Sequence, residues 1–280
     1  MPHVADSAPE IVIRPGQTAQ HYWRDLWHYR ELLWFLSWRD VLVRYKQTVI
    51  GIAWALIRPL LTMLVFTAVF SIVARLPSTG SAPYALMVFT GLLPWFFFAS
   101  ALSGSGGSLI ESERMITKIY FPRLVIPVSA VLVSLVDFLI SALILVLLFV
   151  WYGFYPDGRA WMAPVFVLLA LSAALGPGLL IAALNVRYRD FRYVVPFITQ
   201  IGLYISPIGY SSDLVPETWR LLYSLNPMVG VIDGFRWAFL AGEFQIYWPG
   251  FWVSSAVNMT LLVAGVTYFR RTERSFADII

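Results

Sequence analysis

The chain has 280 residues, 59% hydrophobic and only 13% charged, with a formal net charge of +4 and a mean hydropathy of +0.71. A soluble domain carries about 25% charged residues, so the composition excludes a disordered chain, a disulfide-built secreted domain and a water-soluble enzyme, and leaves an integral membrane protein. The absence of cysteine excludes thiolate chemistry and disulfides, and the three histidines, His3, His21 and His28, lie too early to ligate a metal within the membrane body.

In chain order, a tail over 1–20 precedes a single transmembrane domain over 21–280. Over about 22–47, Trp23, Leu26, Trp27, Trp34, Trp38, Val41, Leu42 and Tyr45 recur at helical spacing among arginines and acids. A helix this charged does not span; it lies in the headgroup plane. Two readings fit it, a simple anchor and a moving element beside the entrance for an amphiphilic substrate. Apolar runs punctuated by Gly, Pro and charge then predict six spans at about 53–74, 84–108, 124–150, 161–185, 194–210 and 247–269. The runs are continuously apolar rather than alternating, which indicates an all-α protein and not a barrel.

The cations set the orientation. Arg14, Arg24, Arg30, Arg39, Arg44 and Lys46 precede the first span, Arg114, Lys118 and Arg123 follow the second, Arg187, Arg189 and Arg192 the fourth, and Arg270, Arg271 and Arg274 the sixth. With Arg58, sixteen of the twenty cations lie on one side, and only Arg75, Arg159, Arg220 and Arg236 on the other. The positive-inside rule places both termini in the cytoplasm. The basic charge therefore reflects topology and gives no sign of nucleic-acid binding. The first 46 residues supply no uncharged stretch of the kind a cleavable signal peptide needs.

Between the fifth and sixth spans the chain must cross an even number of times, yet Leu221 to Ile232 is uncharged and broken by Asn226-Pro227. Two short re-entrant helices over about 213–242 fit, as does an external lid resting on the spans. Residues 111–123, ESERMITKIYFPR, are long enough for one amphipathic helix of about two turns that stabilises the loop or docks on a cytoplasmic partner. Arg187, Arg189 and Arg192 sit beside Asp190 after the fourth span, where surface pairing explains them.

Several kinds of chemistry are missing. Neither lysine, Lys46 nor Lys118, follows a glycine, so the chain has no P-loop for ATP phosphates. Ser103-Gly-Ser-Gly-Gly-Ser108 reads as close helix packing and Gly176-Pro177-Gly178 as a kink. Asp137 is the one acid within the predicted spans. Such a group needs a polar partner or water, either hydroxyls such as Ser134 and Ser141 or the wall of a conduit.

Four blocks, RDVLVRYKQTVIGIAWALIRPLLTMLVF (39–66), SLIESERMITKIYFPRLVIP (108–127), LNVRYRDFRYVVPFITQIGLYISPIGY (184–210) and LNPMVGVIDGFRWAFLAG (225–242), resemble the transmembrane subunit of polysaccharide-exporting ABC transporters, the permease group for O-antigen, capsule and teichoic-acid chains. The resemblance spans about residues 20–270. It implies a non-enzymatic permease of the bacterial inner membrane, working as a homodimer with two copies of a separate ATPase subunit. ATP and magnesium then sit on that partner, and this chain carries no cofactor.

By the same resemblance the 22–47 helix is an interfacial gate and 111–121 the coupling helix, with Glu111, Arg114, Lys118 and Tyr120 facing the ATPase. Residues 213–242 become the re-entrant pair, and spans 1 and 5 line the conduit. Arg39, Arg44, Lys46 and Arg58 match the block that would meet the diphosphate of a polyprenyl-linked glycan, for which guanidinium is geometrically suited; headgroup anchoring uses the same residues equally well. A glycan needs a wet conduit whose walls grip weakly, and Phe66, Phe70, Tyr204 and Tyr210 are the candidates, with ordinary interfacial aromatic belts as the competing explanation.

O-antigen is the favoured cargo, with capsule and teichoic acid open. A membrane glycosyltransferase would need clustered acids, and a stand-alone flippase internal repeats or several buried charges; the sequence offers neither.

Overall fold

The computed structural model describes residues 22–46, 52–78, 80–119 and 121–276, so the predicted tail over 1–20 lies outside the described residues. Regular structure among the described residues is helical throughout. Helices α1 (Tyr22–His28) and α2 (Arg30–Lys46) occupy the Trp- and Arg-rich stretch. The single helix expected over 22–47 is thus jointed at Tyr29, which still continues the hydrogen-bond ladder by donating to Asp25 and accepting from Leu33. Tyr22 fastens α1 to the end of the chain, its hydroxyl donating to Glu273 at 2.9 Å while the Arg270 guanidinium lies 4.5 Å from its ring centre. Trp23, Trp27, Trp34 and Trp38 stay exposed, as suits a helix pair in a headgroup layer.

The body consists of α3 (Ile52–Phe66, continued by a π-helical segment Thr67–Val73), α4 (Tyr84–Glu111), α5 (Glu113–Ile116), α6 (Val125–Tyr152), α7 (Ala163–Arg187), α8 (Phe191–Ile205), α9 (Glu217–Tyr223), α10 (Pro227–Phe239) and α11 (Trp248–Thr272). Five of these, α3 with its extension, α4, α6, α7 and α11, are long and apolar enough to cross a bilayer. The protein is an all-α, multi-pass membrane protein.

The stretch predicted as the fifth span, 194–210, differs. Helix α8 has 15 residues, about 22 Å at 1.5 Å per residue, against a hydrocarbon core about 30 Å thick. It stops at Ile205 because Pro207 forces the preceding Ser206 into extended geometry (φ −75°, ψ 151°).

Helix α4 is the centre of the bundle: 83% of its apolar window is buried, against 17% for α3 and 22% for α11. The outer helices are apolar around most of their girth, which in lipid carries no penalty. Close approach is made by glycines. A Cβ on Gly176 would stand 2.6 Å from the backbone nitrogen of Leu262, and one on Gly265 would stand 2.1 Å from the Gly176 carbonyl. The Gly176-Pro177-Gly178 stretch, read from sequence as a kink, lies within the unbroken span of α7 and makes a contact as well: α7 packs backbone to backbone on α11 at Gly176. In the glycine-rich stretch of α4, a Cβ on Gly106 would stand 3.0 Å from the Ile181 side chain of α7, and Asn185 of α7 donates to the Gly106 carbonyl at 2.7 Å.

At the arginine-poor end, the segment predicted over 213–242 holds α9 and α10 after a 3-10 turn at Ser212–Leu214. Asn226 caps α10, accepting from Met228 N–H at 3.0 Å, with Pro227 at the first helical position.

Candidate functional site

Helix α2, the last turn of α4, the α5 turn and the first half of α6 enclose an open cavity of about 160 Å3. Its polar lining is Arg39, Asp40 and Arg44 from α2, Ser108 and Glu111 from α4, Ser112 before α5 and Ser129 from α6. The cavity therefore joins residues that the sequence reading assigned to two roles, headgroup recognition and ATPase coupling.

The cations there are engaged. Arg39 pairs with Asp40 at 2.8 Å. Arg44 pairs with one carboxylate oxygen of Asp137, and the Tyr45 hydroxyl donates to the other. Burial, with that bond and the Asp137 charge, pushes the Tyr45 phenol above its ordinary range. Asp137 thus has its polar partners on α2 and not in the hydroxyls considered from sequence. Ser134 meets Ser100 at 3.0 Å and Ser141 donates to the Ala55 carbonyl at 3.5 Å. Lys46 is exposed at the end of α2. Arg58 lies outside the cavity, over the Phe96 ring at 5.3 Å. Because Ser134 is one turn from Asp137 and Ser100 one turn from Phe96, Arg58 and the Arg44–Asp137 pair stand at about the same level of the bundle.

The coupling segment is shorter than the two-turn helix expected over 111–121. Helix α4 ends at Glu111, Ser112 leaves helical geometry (φ −102°, ψ 16°), and α5 is one turn. Glu111 consequently lines the cavity, whereas Arg114 and Lys118 project from the exposed side of the turn, with Ile116 buried beneath. Tyr120 lies outside the described residues.

Three of the four conduit candidates come together. Phe66 stacks on Tyr204 (6.1 Å, 16° between planes) and tilts against Phe70 at 5.4 Å. Phe66 is buried, while Tyr204 is 61% exposed and forms the outer face of the stack. Tyr210 stands apart: its hydroxyl and that of Tyr223 each lie 2.8 Å from the Ile205 carbonyl.

Sequence reasoning missed what holds the break after α8. Non-helical backbone away from water must have its polar groups met by protein, and several of them are met here. Beyond the Ile205 carbonyl, Ser206 Oγ accepts from Asn226 at 3.0 Å, and the Gly209 carbonyl accepts from the Tyr84 hydroxyl. The fully buried Arg236 donates to the carbonyls of Ile208 and Tyr210 at 2.8 Å each, and to Met87 of α4 at 3.3 Å. Asp233, one turn earlier on α10, is buried beside it. The available signal was an acid and an arginine three residues apart in an apolar segment, a spacing that marks buried charge with a purpose; counting Arg236 only towards topology passed it by. Among the described residues no three His, Cys, Asp or Glu side chains gather as a metal site would require.

The family model described as "ABC-2 type transporter" matches residues 31–240. The chain is 30% identical over 259 residues to the O-antigen export system permease protein RfbA of Myxococcus xanthus, covering 92% of this chain and 98% of that protein. It is 29% identical over 251 residues to the O-antigen export permease RfbA of Klebsiella pneumoniae (89% and 95% covered). Against the capsule polysaccharide export inner-membrane protein CtrC of Neisseria meningitidis it is 20% identical over 251 residues (88% and 92% covered).

Proposed function

The chain belongs to the ABC-2 type transporter family as a permease subunit, and from that premise we propose that it moves a polyprenyl-diphosphate-linked polysaccharide of the O-antigen kind across the bacterial inner membrane. A homodimer forms the conduit, and two copies of a separate ATPase chain, carrying ATP and magnesium, drive it. The observation that carries this reading is the match to O-antigen export permeases, 30% identical over 92% of this chain and 98% of the Myxococcus xanthus relative.

Physical chemistry supports the parts. Each sugar hydroxyl dragged unpaired through hydrocarbon would cost about 1–3 kcal/mol or more, so a wet passage is required. The Phe66–Tyr204 stack between α3 and α8 offers an aromatic face on which the apolar side of a sugar slides without a fixed hydrogen-bond register. The arginine-rich end is cytoplasmic, both termini included. There α2 acts as the gate helix, Arg39, Arg44, Lys46 and Arg58 receive the lipid diphosphate, and Arg114, Lys118 and Tyr120 dock on the ATPase. Glu111, facing the cavity, links that docking to the headgroup site. Helices α9 and α10 form the re-entrant pair outside.

The test is to purify the chain with the ATPase encoded beside it and identify the co-purifying lipid by mass spectrometry. A polyprenyl diphosphate bearing the O-antigen repeat, in a particle with two copies of each chain, is the expected result. ATP hydrolysis by this chain alone, or activity of a single copy, overturns the reading. The capsule-exporting relative favours a second cargo, and the glycan recovered distinguishes the two.

A further inference from the structure

The proposed headgroup site has a feature that its residue types do not explain: two of its four cations, Arg39 and Arg44, already have carboxylate partners. Arg39 holds Asp40 on its own helix, but Arg44 reaches across 93 positions of sequence to Asp137 on α6, and Tyr45 next to it takes the other oxygen of the same carboxylate. Two adjacent residues of α2 thus converge on one acid, which holds α2 along α6 and closes one side of the cavity lined by Arg39, Arg44 and Glu111.

The pair is also accessible, with 45% of the Arg44 side chain and 25% of the Asp137 side chain exposed. A carboxylate at such a place is a partner that can be exchanged. A diphosphate offers guanidinium the same planar pairing with more charge and more oxygens.

We propose that the Arg44–Asp137–Tyr45 contact is the closed latch of α2, and that a diphosphate headgroup opens it by taking Arg44 from Asp137. This rests on the headgroup reading above and adds its regulation. Asp137 never meets the cargo. It is a positioning residue that keeps α2 seated on α6 while the site is empty and so sets how readily the site accepts a headgroup. Once Arg44 turns to the diphosphate, Tyr45 is the one latch residue left on Asp137, and the C-terminal part of α2 swings away from α6 over the α5 turn that carries Arg114 and Lys118, while Leu36 keeps the rest of the helix seated. Loading is thereby felt at the segment proposed to meet the ATPase.

The chain's lack of cysteine allows spin labels at Val43→Cys on α2 and Leu139→Cys on α6, both exposed positions, in the complex with its ATPase in phosphatidylcholine nanodiscs. Undecaprenyl diphosphate is the probe, with its binding measured separately. The intrachain distance is expected to lengthen by about 5 Å on lipid binding, and in Asp137→Asn to be long without lipid. A latch closed in about nine molecules of ten would make Asp137→Asn bind the lipid about tenfold more tightly. Tyr45→Phe should fall between, and Arg44→Asp combined with Asp137→Arg should restore the short distance while losing the response to lipid.

Lipid that binds without moving α2, or an Asp137→Asn protein that keeps the short distance, overturns the latch. Lipid that fails to bind the wild-type complex overturns the headgroup reading instead; the Asp137→Asn distance then decides by itself whether the contact holds α2. Inorganic pyrophosphate and undecaprenol form the last arms. Opening by the lipid and not by pyrophosphate at equal concentration assigns the trigger to the lipid-borne diphosphate, equal opening by both shows that the diphosphate suffices without the lipid, and equal opening by undecaprenol, which carries no phosphate, overturns the diphosphate as trigger. Should Asp137→Asn not assemble, Arg44→Lys, which keeps the charge and loses the planar fork, is expected to lengthen the distance part-way, and an unchanged distance counts against the latch.

Discussion

Arg236 donates a 2.8 Å hydrogen bond to the carbonyl of Ile208, two residues past the point where α8 gives up its helix. The same guanidinium serves Tyr210 and Met87, so one side chain of α10 ties together the break, its own helix and the central helix α4. An arginine suits this place because its fork offers five N–H donors with fixed directions. Arg236→Gln strands buried carbonyls and removes the charge beside Asp233. Breaking a buried, hydrogen-bonded charge cluster costs about 3–5 kcal/mol, and the expected result is a clear fall in the thermal unfolding midpoint of the purified protein. Arg236→Lys should recover only part. A Gln variant as stable as wild type contradicts the assignment.

Asp233 makes the same region sensitive to pH. Burial pushes its carboxyl up from 3.8 to about 7, against the pull of the Arg236 charge, a hydrogen bond with Ser212 and the Arg220 charge, and with a smaller push from Asp213. The native protein therefore keeps a proton between about pH 4 and 7 that the unfolded chain has released. The native state binds more protons in that window, so stability falls as pH rises through it. Unfolding midpoints measured from pH 4.5 to 7.5 should decline, and Asp233→Asn, which cannot titrate, should remove that part of the slope. Parallel profiles for the two proteins would count against a buried, protonated Asp233.

What the sequence disclosed and what it hid divide along the range of the interactions involved. Apolar runs locate helices because burial in lipid depends on composition within each run, so α4, α6, α7 and α11 fall where hydropathy puts them. The early end of α8 was legible too, since Pro207 restricts its neighbour whatever the tertiary context, but the apolar residues that follow, Ile208 to Tyr210, masked it. Partners across the fold left no local trace. Nothing within a few residues of Asp137 announces Arg44 and Tyr45, 93 and 92 positions away. Nor does the sequence near Tyr84 point to the Gly209 carbonyl 125 positions on. Gly-Pro-Gly in α7 is a local signal and was read as a kink, whereas the backbone of α11 lying against Gly176 left no trace in the sequence around it.

That contact gives a sharp comparison of three single methyl groups. At Gly176 and Gly265 an added Cβ would run into backbone, at 2.6 Å and 2.1 Å, and backbone cannot step aside without separating α7 from α11. Overpacking of this kind costs about 1–3 kcal/mol, so Gly176→Ala and Gly265→Ala should each lower the unfolding midpoint. At Gly104 the same methyl would meet Ala130 at 3.5 Å, an ordinary contact. Gly104→Ala should be neutral or slightly stabilising, because it removes backbone entropy from the unfolded chain. Equal effects at all three positions would mean that the α7–α11 approach is not as close as described.

The α5 turn separates stability from coupling. Arg114 and Lys118 are exposed, whereas Ile116 on the buried side of the turn anchors it. Removing both charges touches nothing in the packed bundle, and surface substitutions of this sort stay within about 0.5 kcal/mol. The Arg114→Ala, Lys118→Ala double variant should therefore insert and melt like the wild type. If the turn docks on the ATPase, the same variant loses its electrostatic hold on that partner, and the stimulation of ATP hydrolysis by lipid-linked glycan in the reconstituted complex should drop severalfold. Basal hydrolysis, which belongs to the ATPase chain, should stay. Ile116→Asp is the converse control: it places a charge under the turn, so it should disturb melting and coupling together. Full stimulation in the double variant would move the docking surface away from α5, leaving Arg187, Arg189 and Arg192, around the junction of α7 and α8, as the next basic patch to test.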